Sequence, residues 1–540
     1  MRLQRIQIEN YRRLPDLEIS VAEHLVLVGA SDAGKTSVLR ALHLLLGLAQ
    51  AQLVPSIELR DFTDPSLPFI VEVDLVNFGD ADRATFPDQI HVDADGAERL
   101  RLRLEAEIDQ EDPDLRTVRR TFPDVIGGKQ VARAQLDHIG WVLLRSDRSL
   151  QRELGSAGTG AFKTLLSQTD LGAELSQILE AIDGLHQLLA DSESLATVRS
   201  GVAQGLSSML PLEVSAEDLL LLTGSDAAKA PLADVLLHLS DGDGEIAPIS
   251  EQSDGMRSVA LLTLLSLSAA QSGLTGIDEP ELHLHPTAQA ALGETLRRSG
   301  RQHILATHSG RLAAAFPASD LVCLSSSRGA RNLSPDHEVQ SEVFHWRWWT
   351  HELVETLTSR VCLFVEGASD RILLQAVARQ TGVRLARDGI HVIELDGASS
   401  FGRMVEVIGE SGYGIPCVGL CDEDASDEWA DALGVAVEDL GANGYLVNDP
   451  DLEGEVVEAL GVDRFLELIR GSPLVSDRSL LNSTGAVSVS EITREDAADY
   501  FRRKRNKVPV ATALATRMTA DDAQAIEKLS AVLDEARRVG

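Results

Sequence analysis

The chain has 540 residues, 44% of them hydrophobic, and a formal net charge of −35; it can bury several cores, and length alone suggests roughly three or four units. No run approaches about 18 consecutive apolar residues, and the opening MRLQRIQIENYRRLPDLEIS carries charges where a secretory segment needs its apolar stretch, so no membrane association is expected and the cytoplasm is the expected compartment. The acidic balance argues against nucleic acid at long range, and Cys323, Cys362, Cys417 and Cys421 form no CxxC pair, which removes zinc ribbons and a disulfide framework.

The first 45 residues alternate as a strand pair (LQRIQIENY, then DLEISV), followed by LVLVG and the helical stretch KTSVLRALHLLL. Further strand-like segments follow in FIVEVDLVNF, RLRLEAEI and RTVRRTF. From about Leu150 to Ser240 the period becomes helical without a sustained heptad, which reads as an inserted helical arm rather than a long coiled coil. SVALLTLLSLSAA is apolar nearly all round, as a buried helix is. LTGIDEP and HILATHS then read as two strand ends carrying polar residues. After the Trp-rich VFHWRWWTHELVETL, a new strand–helix alternation starts, which places a domain boundary near Arg347 to Arg360. The divisions are 1–149, 150–240 (the arm, expected to dimerise), 241–345, 360–510 and a helical tail over 511–540.

GASDAGKT sets Gly29, Gly34, Lys35 and Thr36 in the spacing GxxxxGK[ST], with Ser37 next, between a strand and a helix. Such glycines let backbone N–H groups wrap phosphates, while the lysine neutralises the β and γ charges and the threonine holds Mg²⁺. A chance match in that context is rare, below roughly one in twenty. In GIDEP, Asp278 at a strand end suits the Mg²⁺ shell, and Glu279 suits polarising an attacking water. Alone, Asp-Glu-Pro is a common turn. In SDGMR, Ser253 and Gly255 open a helix whose amino terminus suits a phosphate from a second subunit. His308 in ATHS suits a γ-phosphate sensor, whereas His283 and His285 read as structural. A nucleoside triphosphate is therefore the expected ligand.

Three later strands end on acids. VCLFVEGASD ends on Glu366 and Asp370, PCVGLCDEDAS on Asp422, Glu423 and Asp424, and GYLVNDPDLEGE on Asp451 and Glu453. In an open parallel sheet, functional groups gather outside the carboxyl ends of the strands. Carboxylates pooled there repel unless neutralised, and Mg²⁺ or Mn²⁺ is the usual oxygen-loving counterion. For each acid singly, and for Asp370 in particular, a helix cap or turn is the bland alternative. The basic run FRRKRNK, with Arg502, Arg503, Lys504 and Arg505, is either a solvated helix end or a DNA-backbone contact in an otherwise acidic protein.

The order of Lys35, Ser253, Asp278 with Glu279, and His308 resembles the ABC-type ATPase heads of the structural-maintenance and recombination-repair group. The likeness covers about residues 1–345 without the arm, and departs from the pattern in the less apolar LTGI and in lacking an assignable Mg²⁺-sensing Gln. VEGASD with CDED resembles the Toprim domain over about residues 360–510. The two together resemble the OLD (overcoming lysogenisation defect) family of ATP-dependent nucleases, which includes the nuclease subunit of the Gabija antiphage system. The expected fold is thus α/β, an ABC-type head with an inserted arm followed by a Rossmann-like parallel-sheet Toprim domain. The resemblance implies an ATP-controlled, two-metal DNA endonuclease in antiphage defence, acting on double-stranded DNA as at least a homodimer, with a helicase-like partner as a further implied companion. It implies one ion held by Glu366, Asp370, Asp422 and Asp424 and a second helped by Asp451 and Glu453, with Asp449 competing for the role of Asp451. Lys507 matches the residue that approaches the scissile phosphate, with Arg503 or Lys504 as competitors. The other readings are a nucleotide-switched DNA-clamping or assembly protein without nuclease activity, and a RecF-type repair factor. The sequence has no distinct tyrosine-bearing domain for a topoisomerase and no zinc module for a primase.

Overall fold

The computed structural model describes residues 1–93, 96–109, 112, 116–144, 171–193, 195–196, 200, 215, 238–240, 246–248, 251, 273–282, 284–325, 329–333, 351–395, 397, 400–470 and 472–540. Ser253, Gly255, His283, the buried helix expected after them, the Trp-rich piece up to residue 350 and most of the arm lie outside the described residues.

Two sheets build the head around the helix Lys35–Leu46. An antiparallel sheet runs Leu14–Ser20, Arg2–Tyr11, Phe69–Val76, Glu98–Ile108, Arg116–Phe122 and Lys129–Gln130, with His91–Val92 paired to Glu98–Ile108. A second sheet runs Gly329–Asn332, Leu321–Ser325, Leu25–Val28, Gln302–Ala306, Leu274–Asp278 and Val142–Leu144, parallel except at its Gly329–Asn332 edge. The helix is apolar on nearly every side because both sheets cover it: Val38, Leu39, Ala41, Leu42, Leu44, Leu45 and Leu46 are all buried in one cluster with residues of both. Its carboxyl end is closed by the buried Arg120, which donates to the carbonyls of Leu44 at 2.8 Å and Leu48 at 2.9 Å. Those carbonyls have no partner within the helix itself.

The sheet of the second domain is fully parallel, in the order Ile390–Glu394, Val361–Val365, Cys417–Asp422, Tyr445–Asn448. Alternation explains why Val361–Val365 is apolar throughout. Val361, Leu363 and Val365 face a cluster with the helices Ala368–Thr381, Lys504–Arg517 and Glu527–Val539, while Cys362 and Phe364 face Phe401 and Trp429 on the other side. Phe401 and Trp429 stack with centroids 3.8 Å apart and planes at 2°. The segment 511–540 does not stand off as a tail, since Leu529, Val532, Leu533 and Ala536 are buried against the sheet.

The boundary expected near Arg347 to Arg360 is not a gap in the packing. Val26, Leu305, Phe316 and Leu321 of the head share one apolar cluster with Leu353, Leu357, Phe364, Met404 and Tyr413. The Tyr413 hydroxyl also donates to the carbonyl of Ala318 at 3.0 Å. Within the arm, the helix Glu174–Asp191 is described and has no buried residue.

Candidate nucleotide site and metal centre

The P-loop turns on two glycines. Gly29 (φ 135°) and Gly34 (φ 102°) lie in the region closed to most side chains, and a Cβ at Gly29 would come within 2.3 Å of the Leu324 carbonyl oxygen. The Lys35 ammonium is buried and donates to the carbonyls of Gly29 at 2.8 Å and Ala30 at 3.0 Å. Burial holds its pKa below the ordinary lysine value, against the opposing pull of Cys323, Glu281, Glu279 and Asp278. The Thr36 hydroxyl donates to Asp278 at 3.1 Å, so the two groups expected around Mg²⁺ already meet. Asp278 ends a strand whose five residues are all buried; Gly276 keeps it thin because the Trp141 ring lies where a Cβ would stand, 2.7 Å away.

Glu279 follows with φ 49°, a strained backbone for a non-glycine residue, and its N–H donates to the Ala306 carbonyl at 2.8 Å. A cavity of about 820 Å³ gathers Gly34, Lys35, Thr36, Ser37, Asp278, Glu279 and His308, a volume that suits a nucleotide. Its wall also holds Arg12, Arg13 and Arg60, which sequence reasoning missed; the charge doublet in the NYRRLP turn was the available signal. Glu281 was missed too. Its carboxylate accepts from the His308 N–H at 2.6 Å and the Thr307 hydroxyl at 2.8 Å, tying the DEP turn to the loop that carries His308. Burial pushes the Glu281 pKa up. His285 caps the helix Pro286–Arg298 through its side chain, the structural role expected of it.

At the ends of the parallel sheet, Glu366, Asp422 and Asp424 each offer an oxygen, all within 4.8 Å of one another. Adjacent parallel strands bring them there: Glu366 follows Val365, and Asp422 ends the neighbouring strand, its N–H donating to Glu366 at 2.7 Å. Asp422 Oδ1 accepts from the Leu452 N–H at 2.9 Å and from the Asn448 amide at 3.0 Å. Asp370 sits in the first turn of Ala368–Thr381, where its carboxylate accepts from the Gly367 N–H at 2.9 Å. It stands outside that three-carboxylate group, close enough for Asp422 and Glu453 to raise its pKa. Glu453, 1% exposed, is paired with Lys507 at 2.9 Å. Burial works against the charge on Lys507, but Glu453, Asp370 and Asp422 outweigh it and raise the lysine pKa.

Asp451 and Arg502 are bound to each other at 2.5 and 3.2 Å, and Asp451 also caps the helix Leu452–Leu460 through the Gly454 N–H. Both Asp451 oxygens are thus already engaged, and neither Asp451 nor Glu453 belongs to the group formed by Glu366, Asp422 and Asp424. Arg503, Lys504 and Arg505 are exposed where the helix Arg494–Arg502 gives way to Lys504–Arg517, with Arg503 and Arg505 donating to Ser483 at 2.6 and 3.3 Å.

Burial, reinforced by neighbouring carboxylates, pushes Glu366 and Asp370 up to about 7 and Asp422 to about 6. These oxygens are hard donors and suit a Mg²⁺- or Mn²⁺-like ion. An acid whose folded pKa is raised stabilises the fold at pH below its unfolded value near 4 and loses that contribution as pH rises through the folded value. In chelator, melting temperature is therefore expected to fall more between pH 5 and about 8 for the parent chain than for Glu366→Gln. Added Mn²⁺ should restore the parent at the upper end. Superimposable pH profiles in a thermal melt would contradict the carboxylate crowding.

A nucleotide cradle in one sheet and a carboxylate group at the ends of another define an ABC-type ATPase joined to a Toprim domain. The family model AAA_21, whose description names an AAA domain and the AbiEii toxin of type IV TA systems, matches residues 25–314, and the model for the overcoming lysogenization defect protein-like TOPRIM domain matches residues 357–424. An OLD nuclease of Thermus scotoductus is 25% identical over 470 residues, covering 79% of this chain and 84% of that protein. The Old nuclease of Escherichia phage P2 is 29% identical over 169 residues, 29% of each chain. Among solved structures, the C-terminal region of the Burkholderia pseudomallei OLD protein matches at 26% identity and TM-score 0.28 over 34% of this chain and 99% of its own. The Thermotoga maritima SMC head domain matches at 13% identity and TM-score 0.30 over 62% of this chain and 100% of its own. The chain belongs to the OLD family of ATPase–Toprim nucleases. It is an ATPase-linked nuclease, and among the described residues no helix is long and apolar enough to cross a membrane.

Proposed function

We propose that the chain is a divalent-metal-dependent endonuclease that nicks or cuts duplex DNA under the control of its ATP-binding head, in antiphage defence within the cytoplasm. The observation that carries the metal dependence is the convergence of Glu366, Asp422 and Asp424 within 4.8 Å at the open end of a parallel sheet. These three would hold one ion, with Asp370, Glu453 and Lys507 beside it. Ions held there supply the charge that activates water and stabilises the leaving 3′ oxygen. The chain's own groups do the rest. Asp422 is oriented by two N–H donors, Glu366 is tied to the Asp422 backbone, and Lys507 is a cation poised to leave Glu453 for a phosphate. In the head, Lys35 and Thr36 would bind ATP with Mg²⁺ at Asp278, Glu279 would polarise water, and His308 would face the γ-phosphate, with Ser253 and Gly255 completing the site from a second subunit. The antiphage reading follows the family's name, and a helicase-like companion follows the same resemblance.

A homodimer or higher oligomer is supported by the helix Glu174–Asp191, on which Leu175, Leu185 and Leu188 are exposed, Leu188 at 73%. An 18-residue helix with apolar residues left unburied suits packing against a second copy of the arm. Nicking of supercoiled plasmid that requires Mg²⁺ or Mn²⁺ and stops with chelator tests the function; no nicking under any metal would favour a DNA clamp, and metal-independent nicking would contradict the metal dependence.

Arg503, Lys504 and Arg505 are expected to contact the DNA backbone. Replacing all three by alanine should weaken binding alike for every sequence and flatten the plot of log affinity against log salt by up to about 0.9 per lost contact. Anisotropy titrations across a salt series check this, and an unchanged slope would remove these residues from the DNA path.

A further inference from the structure

We propose that Asn448 is a positioning residue for Asp422: its side-chain amide turns that carboxylate so that one oxygen faces the opening shared with Glu366 and Asp424, and thereby sets the site's affinity for a divalent cation. The inference rests on the metal-site reading above.

Asn448 ends the strand Tyr445–Asn448 and pairs in register with Asp422 on the neighbouring parallel strand. It is 2% exposed. Its Nδ2 donates to Asp422 Oδ1 at 3.0 Å, and the Leu452 N–H donates to the same oxygen at 2.9 Å. Two donors on Oδ1 leave Oδ2 as the oxygen for a cation. The amide cannot face the other way, because its carbonyl oxygen would then meet a carboxylate oxygen.

The rest of the residue does nothing comparable. Asn448 Oδ1 is buried without a hydrogen-bond partner among the described residues. A half-satisfied buried amide costs stability, and an apolar side chain of the same size would not. Nor does Asn448 serve as the usual strand-end cap, since Asp451 caps the helix that follows. Among the described residues, the one hydrogen bond its side chain makes is with Asp422. Among carboxylates that repel one another, a ligand left to rotate turns away from its neighbours, and the donors that hold it decide how ready the site is for a cation.

The test uses the full chain without nucleotide, with Mn²⁺ as probe. Asn448→Ala removes the amide, and Asn448→Leu removes the donor while filling the space. Both should raise the Mn²⁺ dissociation constant in calorimetry about tenfold, with the Mn²⁺ concentration for half-maximal nicking rising in step. The nicking rate at saturating Mn²⁺ should be largely kept, a split that a merely structural loss would not produce. Asp422→Ala is measured beside them. If Asp422→Ala loses Mn²⁺ while both folded Asn448 variants bind like the parent, the inference is overturned and the metal-site reading stands. If Asp422→Ala also binds like the parent, the metal-site reading falls and the inference with it. Should Asn448→Ala fail to fold, the Asn448→Leu titration decides alone.

Discussion

Replacing Glu366 or Asp424 by alanine is expected to lower DNA cleavage by at least about 100-fold while ATP hydrolysis continues, because even the partners that merely orient metal ligands are worth 10–100-fold. Each substitution removes an anionic oxygen from a group of three that lie within 4.8 Å. Two carboxylates cannot fix an ion's geometry as three can, and in-line displacement depends on that geometry. The fold should survive. Glu366 is pushed up to about 7 by burial and by Asp422 and Asp424, so removing it relieves the metal-free protein. The head should keep turning over ATP because Thr36, on the helix Lys35–Leu46, and Asp278, at the end of the strand Leu274–Asp278, lie outside the sheet that carries Glu366 and Asp424. Loss of both activities in a folded variant would mean that the shared cluster joining Phe316 and Leu321 to Phe364 and Tyr413 couples the sites tightly.

Lys35→Ala is expected to weaken ATP binding by about 10- to 100-fold, the value of a charged hydrogen bond of about 1.5–3 kcal/mol. Without nucleotide, the ammonium is held by the Gly29 and Ala30 carbonyls at 2.8 and 3.0 Å, so it already points into the loop that would receive the phosphates. Glu279→Gln should behave differently. It keeps the side-chain shape and the backbone contact to Ala306, and loses only the base, so binding should persist while hydrolysis falls by about 10²- to 10⁴-fold. Fluorescent-nucleotide titration and phosphate release read the two effects separately. Equal affinity for Lys35→Ala and the parent chain would remove the cradle from the account.

The parts legible in the sequence are those whose chemistry is local. Gly29, Gly34, Lys35 and Thr36 lie within eight residues and imply their own turn. Glu366 and Asp422 are abrupt acids after apolar runs, and a parallel sheet brings such ends together whatever the loops do. What was missed depends on distant partners. Glu281 acquires its role only by reaching Thr307 and His308, 26 and 27 residues away, and Arg502 meets Asp451 across 51 residues. Asn448 gives no signal of its own in NDPD until its register with Asp422 is known. The merged core was hidden for a similar reason: an apolar face looks the same whether it covers its own sheet or a neighbouring domain. Tyr413 shows the point, since only the fold reveals that its hydroxyl reaches Ala318 in the head.

The most direct measurement compares the parent chain with Glu366→Ala on supercoiled DNA in Mn²⁺, with and without chelator, while phosphate release from ATP and a thermal melt are followed on the same samples. The account predicts nicking by the parent only when metal is present, none by Glu366→Ala, and ATP hydrolysis and a cooperative melt in both. Undiminished nicking by a well-folded Glu366→Ala protein would contradict it.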